Sequence, residues 1–349
     1  LLIDNDGRIC MATVAQKLAS TLKELGVQYM FGVPSGNRID YMAAIEDVDG
    51  LEFILVTSES SCGFMADVCW RLTGTVAACF GTFGPGACNW STGVCGGWLD
   101  RAPMLAFTDE MGAAMRPRIT QMNIDHQELF KPITKWTTRI SPETVRQTLY
   151  KAMQIATAEV PGPVHIGLPA DGMSLRQAVG SEPPPPPADD SLSLPDEALV
   201  EKALGLFKSA KRPLLAVGLT ATRVDVGALI RKIVDKHRLP LVLTPMAKGL
   251  LPEDHPCYAG VLAHACSDTV AKTHQQADLV VGIGFDPVEL NYEDWMPDAP
   301  LIHLDTRKAD IDLNNYTLAC DLVGDILPVL ERLADLEDGG NLWDLKALG

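Results

Sequence analysis

Thr75-Val-Ala-Ala-Cys-Phe-Gly-Thr-Phe-Gly-Pro-Gly86 is the stretch that decides the fold. Its first half is a nearly continuous apolar run, and strands of that kind belong to parallel sheets covered on both faces. The glycines at 81, 84 and 86 then make a turn at the strand end, where open parallel sheets hold their ligands. Upstream, a helical period at Ala15, Leu18, Leu22 and Leu25 stops at Gly26 and feeds the short run Tyr29-Met-Phe-Gly-Val33, which ends at Pro34-Ser-Gly-Asn37. Strand-like Phe53–Val56, helix-like Glu59–Leu72, strand-like Pro103–Phe107, a helix near 142–158 and the strand Pro163–Leu168 continue the alternation. Strand, turn and helix in repetition are the pattern of an α/β domain.

Periodicity then lapses over residues 172–196, where Pro183 to Pro187 form an unbroken proline run. A semi-rigid connector is the expectation there, commoner than a proline-motif ligand. Beyond it the alternation restarts, with a helix over 196–210, strands at Pro213–Val217, Leu239–Leu243, Ala277–Ile283 and Pro300–Leu304, and a helix near 325–336. The fold class expected is α/β, as two doubly wound parallel-sheet domains, and 349 residues suffice for both.

Composition narrows the function. Hydrophobic residues make up 47% and charged residues 21%, which excludes a disordered chain. The 45 acids against 29 Lys and Arg give a net charge of −16, a field that repels nucleic acid and anionic membrane surfaces. Nine cysteines without a Cys-x-x-Cys pair read as reduced thiols of a cytoplasmic protein. No apolar run is long enough to cross a bilayer, and the first residues do not read as a signal peptide. His255, His264 and His303 lack metal-ligand spacing, so no metal ligand is assigned.

Glu59 is the anomaly. It follows the strand at 53–56 and opens a helix whose inner face reads as Phe64, Met65, Val68 and Leu72. Taken alone, an acid in a first helical turn is there for the helix dipole. The turns at 32–37 and 81–86 change that reading, because all three strand ends should converge on one sheet edge, with glycines that let a flat ligand approach the backbone.

These residues carry a family resemblance. Phe31-Gly-Val-Pro-Ser-Gly-Asn37, Glu59 with Met65-Ala-Asp67 and Arg71-Leu-Thr-Gly74, Phe83-Gly-Pro-Gly-Ala-Cys-Asn89 and Thr92-Gly93 resemble the pyrimidine-binding domain of thiamine-diphosphate-dependent 2-oxo acid enzymes. Gln121, Leu129–Lys135 and Gly162–Asp171 look like the acetolactate synthase branch. Lys248-Gly249, Pro252–Pro256, Ala277–Gly284 and His303-Leu-Asp305 resemble the family's Rossmann-like central domain, and Asp286–Glu289 with Trp295 is closest to the catabolic enzymes. The resemblance divides the chain into a pyrimidine-binding domain over 11–172, a proline-rich linker over 173–196 and a central domain over 197–335.

The resemblance implies thiamine diphosphate as cofactor and Glu59 as the acid that hydrogen-bonds N1′ of its aminopyrimidine, so that the 4′-imino group can deprotonate the thiazolium C2. It also implies Pro34, Ser35, Gly36, Thr82, Gly84, Pro85 and Asn89 as cofactor-binding residues and Gln121 as a catalytic residue at the reacting centre. Ser58 stands where the family often has histidine, and the Gly-Asp-Gly…Asn motif that holds Mg²⁺ and the diphosphate is missing, so a third domain is expected on a longer polypeptide or a second chain. Phe285-Asp-Pro-Val-Glu289 has no arginine after its strand, which argues against FAD. The activity implied is decarboxylation of pyruvate or a related 2-oxo acid with carboligation; a simple decarboxylase and a non-catalytic nucleotide-binding subunit are the alternatives. The family's sites lie between subunits, so a homodimer or homotetramer is expected, joined through Glu59 and residues 81–100, with Trp90 and Trp98.

Overall fold

The computed structural model describes residues 11–180, 191–262, 275–286, 298–314 and 316–347, together with Glu289 and the backbone of residues 2–3 and 9–10. The proline run, Pro287, Trp295 and His264 lie outside the described residues. The chain divides into two compact units, Leu1–Asp190 and Ser191–Gly349.

The first unit is built on six parallel strands: β1 (Tyr29–Gly32), β2 (Glu52–Leu55), β3 (Ala77–Gly81), β4 (Met104–Glu110), β5 (Trp136–Arg139) and β6 (Pro163–Pro169). Their order is β2-β1-β3-β4-β6-β5, so the sheet reverses direction between β1 and β3. Helices α1 (Val14–Glu24), α2 (Ile39–Glu46) and α6 (Val145–Thr157) pack on one face through Leu18, Leu22, Ile45 and Leu149. On the other face α3 (Glu59–Thr73), α4 (Pro85–Leu99) and α5 (His126–Phe130) bury Cys62, Ala66, Trp90 and Phe130. Local chemistry agrees with these boundaries. Thr13 and Gln16 form a reciprocal capping box at the start of α1, and Gly74 ends α3 in the left-handed conformation that glycine adopts without strain.

The second unit has β7 (Pro213–Val217), β8 (Leu241–Leu243), β9 (Tyr258–Val261), β10 (Leu279–Ile283), β11 (Pro300–Asp305) and β12 (Thr317–Val323) in the order β9-β8-β7-β10-β11-β12, all parallel. This is the dinucleotide-fold order, with its switch point between β7 and β10. Sequence patterning missed β5, which is half-buried throughout, and β9 and β12, whose burial is mixed, and it ended β4 three residues early, at Phe107.

One expectation fails. Phe64, Met65, Val68 and Leu72 do not form the inner face of α3; they are exposed, Leu72 at 79%. The face turned inward is Cys62, Gly63 and Ala66, because α3 and α4 approach backbone to backbone. A Cβ on Gly63 would lie 2.2 Å from the carbonyl carbon of Gly93, and one on Gly93 would lie 2.4 Å from the carbonyl oxygen of Ser60. Trp90, expected at an interface, is fully buried against Phe130.

Gly63→Ala should therefore lower the melting temperature, since overpacking against backbone costs about 1–3 kcal/mol. Gly205→Ala, on α7 (Glu197–Ser209) with open space around the position, should be neutral or stabilising by up to about 1 kcal/mol. Thermal denaturation of the two variants checks the contrast.

Candidate functional site

Three chain segments end at the carboxyl edge of the first sheet around its switch point: the turn after β1 (residues 33–38), the start of α3 after β2, and the turn from β3 into α4 (residues 82–86). Glu59 is the first residue of α3. Its helix cap, Ser58, makes no capping bond; the Ser58 hydroxyl pairs instead with Ser60 Oγ at 2.9 Å. Asn89 Nδ2, from the second turn of α4, donates to Glu59 Oε2 at 2.8 Å. The other oxygen, Oε1, faces the glycine turn: a Cβ on Gly86 would sit 3.3 Å from it and 2.5 Å from Thr82 Cγ2. The carboxylate is half-buried and set among Asn89, the serines, Thr82 and Gly86 rather than apolar walls.

The 82–86 turn is held from behind. Gly84 is in the positive-φ region, at +48°, and a Cβ there would lie 2.7 Å from the carbonyl oxygen of Met122. Its N–H donates to His126 Nε2 at 3.0 Å. Burial pushes the His126 pKa down to about 4, more than Asp109 and Asp125 raise it, so Nε2 stays unprotonated and able to accept.

Asp109, near the end of β4, ties the two turns together. Its Oδ2 accepts from Ser35 Oγ at 2.9 Å and from Thr82 Oγ1 at 3.3 Å, and lies 3.0 Å from Arg38 Nε. Arg38 is fully buried, with its guanidinium carbon 3.4 Å from the centre of the Phe80 ring. Desolvation lowers its pKa to about 10, which leaves it charged at neutral pH. The contact with Asp109 is an ion pair without hydrogen-bond alignment, and neither Nη has an acceptor. Next along β4, Glu110 is buried and pairs with Arg139 and Gln127; burial raises its pKa. Gly167 on β6 makes room, since a Cβ there would meet the Glu110 carboxyl at 2.4 Å.

Of the residues singled out in the sequence, Glu59 and Asn89 are in contact, with Thr82 and Gly86 beside them, and Ser35 and Thr82 share Asp109. Pro34, Gly36 and Pro85 are exposed on the same two turns. Gln121 is exposed next to Met122, which packs on Gly84, and no described hydrogen bond joins it to Glu59. Arg38, Asp109 and His126 were not anticipated. The available signal was the polar triplet Thr108-Asp-Glu110 directly after an apolar strand.

The residues fit the aminopyrimidine half of thiamine diphosphate. A carboxylate with one free oxygen faces a turn whose glycines leave a flat space that side chains would fill. Hard-ligand clusters are a different matter: among the described residues no group of three or more His, Cys, Asp or Glu could hold a metal ion. In the second unit a carboxylate lies at the dinucleotide crevice. Glu289 sits in it, accepting from Leu219 N–H at 2.8 Å and Thr244 Oγ1 at 2.5 Å, with burial raising its pKa to about 7. Asp305, at the end of β11, accepts from Thr220 and Thr306. Arg307 reaches Asp286 at 3.9 Å from the following loop, so the positive charge missing locally is supplied there and paired.

Comparison with known proteins gives two family matches. Residues 12–129 match the thiamine pyrophosphate enzyme N-terminal TPP binding domain, and residues 200–333 match the thiamine pyrophosphate enzyme central domain. Acetolactate synthase of Bacillus subtilis is 31% identical over 329 residues, covering 91% of this chain and 56% of that protein. The acetolactate synthase large subunit of Corynebacterium glutamicum is 29% identical over 331 residues, covering 93% of this chain and 52% of that protein. The chain thus spans about half the length of these relatives. A thiamine diphosphate-dependent 4-hydroxybenzoylformate decarboxylase from Rhodococcus jostii superposes with a TM-score of 0.78 at 22% identity, over 95% of this chain and 63% of that one. Benzoylformate decarboxylase from Polynucleobacter necessarius superposes at 0.79 with 21% identity, over 94% and 62%. At those identities the likeness is one of fold.

His126 carries a pH dependence. In the unfolded chain a histidine charges near pH 6.5, whereas His126 in the fold stays neutral down to about pH 4. Between these values the unfolded state binds more protons, so the contribution of His126 is intact above about pH 6.5 and is lost as pH falls towards 4. The melting temperature of His126→Gln should fall less steeply from pH 7 to pH 4.5 than that of the parent, and calorimetry across that range checks it.

Proposed function

The chain belongs to the thiamine pyrophosphate enzyme family, carrying its N-terminal and central domains, and from that premise we propose that it is the two-domain portion of an acetolactate synthase-like enzyme that decarboxylates pyruvate or a related 2-oxo acid and joins the two-carbon unit to a second carbonyl. The observation that carries this reading is the Glu59 carboxylate, held by Asn89 and facing the Gly84–Gly86 turn at the switch point of the first sheet. When bound, thiamine diphosphate supplies the electron sink for loss of carbon dioxide. Glu59 holds a proton at N1′ of the aminopyrimidine. Asn89 fixes one carboxylate oxygen and leaves the other free for the ring nitrogen, and the backbone of 84–86 would line the face of the ring. Ser35, Gly36 and Pro34 would form the opposite wall, with Gln121 at the mouth.

Mg²⁺ and the diphosphate would be held by residues outside these two domains, as in the family pattern. The central domain is read as holding no FAD, because Glu289 and Asp305 fill its crevice with carboxylates already bonded within the chain. Among the described residues the free cysteines Cys62, Cys69, Cys79, Cys88, Cys95, Cys257 and Cys320 suit a cytoplasmic protein, and no helix there is long and apolar enough to cross a membrane. The partner for the α3 surface is a second copy: Phe64, Met65, Val68 and Leu72 form an exposed apolar stripe on the helix that begins with Glu59, suited to an isologous contact.

Two outcomes follow. In the intact enzyme Glu59→Gln should keep the fold and lose about 10²–10⁴-fold in turnover, the scale of one lost proton-transfer partner. Thiamine-diphosphate-dependent consumption of pyruvate, with product identified as acetolactate or acetaldehyde, measures this and separates carboligation from simple decarboxylation; normal turnover in Glu59→Gln would remove the role given to Glu59. Val68→Asp combined with Leu72→Asp should shift the protein to monomer in light scattering, and an unchanged mass would exclude the α3 face as the contact.

A further inference from the structure

Asp109 spans more of the sheet edge than any group assigned above. In the order β2-β1-β3-β4, its strand is separated from β1 by β3, yet its Oδ2 accepts from Ser35 in the turn after β1 and from Thr82 in the turn after β3. Arg38 repeats the connection. It leaves the turn after β1, lays its guanidinium on Phe80 of β3, and places Nε 3.0 Å from the same Asp109 oxygen. Among the described residues, the hydrogen bonds and ion pairs that join the two turns all pass through this carboxylate.

We propose that Asp109, with Arg38 as its counter-charge, is a positioning residue that sets the separation of the two turns and hence the width of the crevice between them. The assignment of the crevice to an aminopyrimidine rests on the function proposed above; the mechanical role of Asp109 does not. Burial makes the arrangement stiff. Asp109 is 1% exposed and Arg38 0%, so water does not replace a lost contact, and each charge needs the other to stay in the fold. The two turns cannot drift apart without uncovering a charge. Asn at 109 keeps the shape and an acceptor oxygen but leaves the guanidinium uncompensated, which is why the carboxylate and not merely a polar side chain is required. A residue that only stabilised the fold would have no reason to bond both turns with one atom.

The test is amide hydrogen exchange in the unliganded intact protein, followed in peptides covering 33–41 and 81–88. In Asp109→Asn both segments should exchange about tenfold faster or more, the scale of a lost charge-assisted bond, whereas Ser35→Ala should loosen only the first. Should Asp109→Asn fail to fold, Arg38→Met with Asp109→Leu removes both charges at similar volume, a replacement that buried ion pairs tolerate. It too should loosen both turns together. Unchanged exchange in either folded variant, or loosening of one turn alone, would overturn the proposal. Titration with thiamine diphosphate and Mg²⁺ adds a second readout: the dissociation constant should rise about tenfold or more in the folded variant, and an unaltered constant would reduce Asp109 to a structural residue. Failure of the parent protein to bind the cofactor would instead remove the proposed function, while the exchange result still decides the role of Asp109.

Discussion

A parallel sheet covered by helices on both faces leaves polar groups one economical place to gather, the edge where the strands end. In the first unit that constraint governs everything of chemical interest. Ala77–Gly81 and Met104–Phe107 are buried without interruption, and the polar run Thr108-Asp-Glu110 begins only at the carboxyl end of β4. Buried there, each polar group must find a partner within the chain. Thr108 takes His165, Asp109 takes Arg38 with Ser35 and Thr82, and Glu110 takes Arg139 with Gln127. The turns that face a ligand are thereby tied to the strand that carries the core.

The large features were legible because they rest on local rules. Continuous apolar strands announced the parallel sheets, Gly26 marked a helix end, and Glu59 stood out as an acid at a strand end. The orientation of α3 was not legible. Hydrophobicity alone puts Phe64, Met65, Val68 and Leu72 inside, and the structure puts them outside because the α3–α4 contact requires glycines at 63 and 93. Close backbone approach outweighs side-chain hydrophobicity where two helices share so little room. Arg38 and Asp109 were hidden for a different reason: they are 71 positions apart, and a charged residue in a turn reads as solvated until its partner is known.

The two units apply one grammar to different ends. Each has its switch point and its glycine turns, but in the second the described carboxylates at the crevice, Glu289 and Asp305, are both bonded to neighbouring threonines and backbone. In the first, the corresponding crevice is lined by glycine and keeps a carboxylate oxygen unengaged. Fold alone does not separate these cases. What separates them is whether the donors and acceptors at the switch point are satisfied by the chain itself.

Glu59 and the exposed apolar stripe belong to a single helix but to opposite sides of it. The stripe runs from Phe64 to Leu72 on the side of α3 opposite Glu59, which shares the inward face with Cys62, Gly63 and Ala66 and meets Asn89 of α4. Cys62, Gly63 and Ala66, which let α3 sit close against α4, are also what turn Phe64, Met65, Val68 and Leu72 outward. The small residues at the α3–α4 contact therefore do two things at once: they let the helices meet where Glu59 bonds Asn89, and they leave the apolar side chains on the outer side of α3.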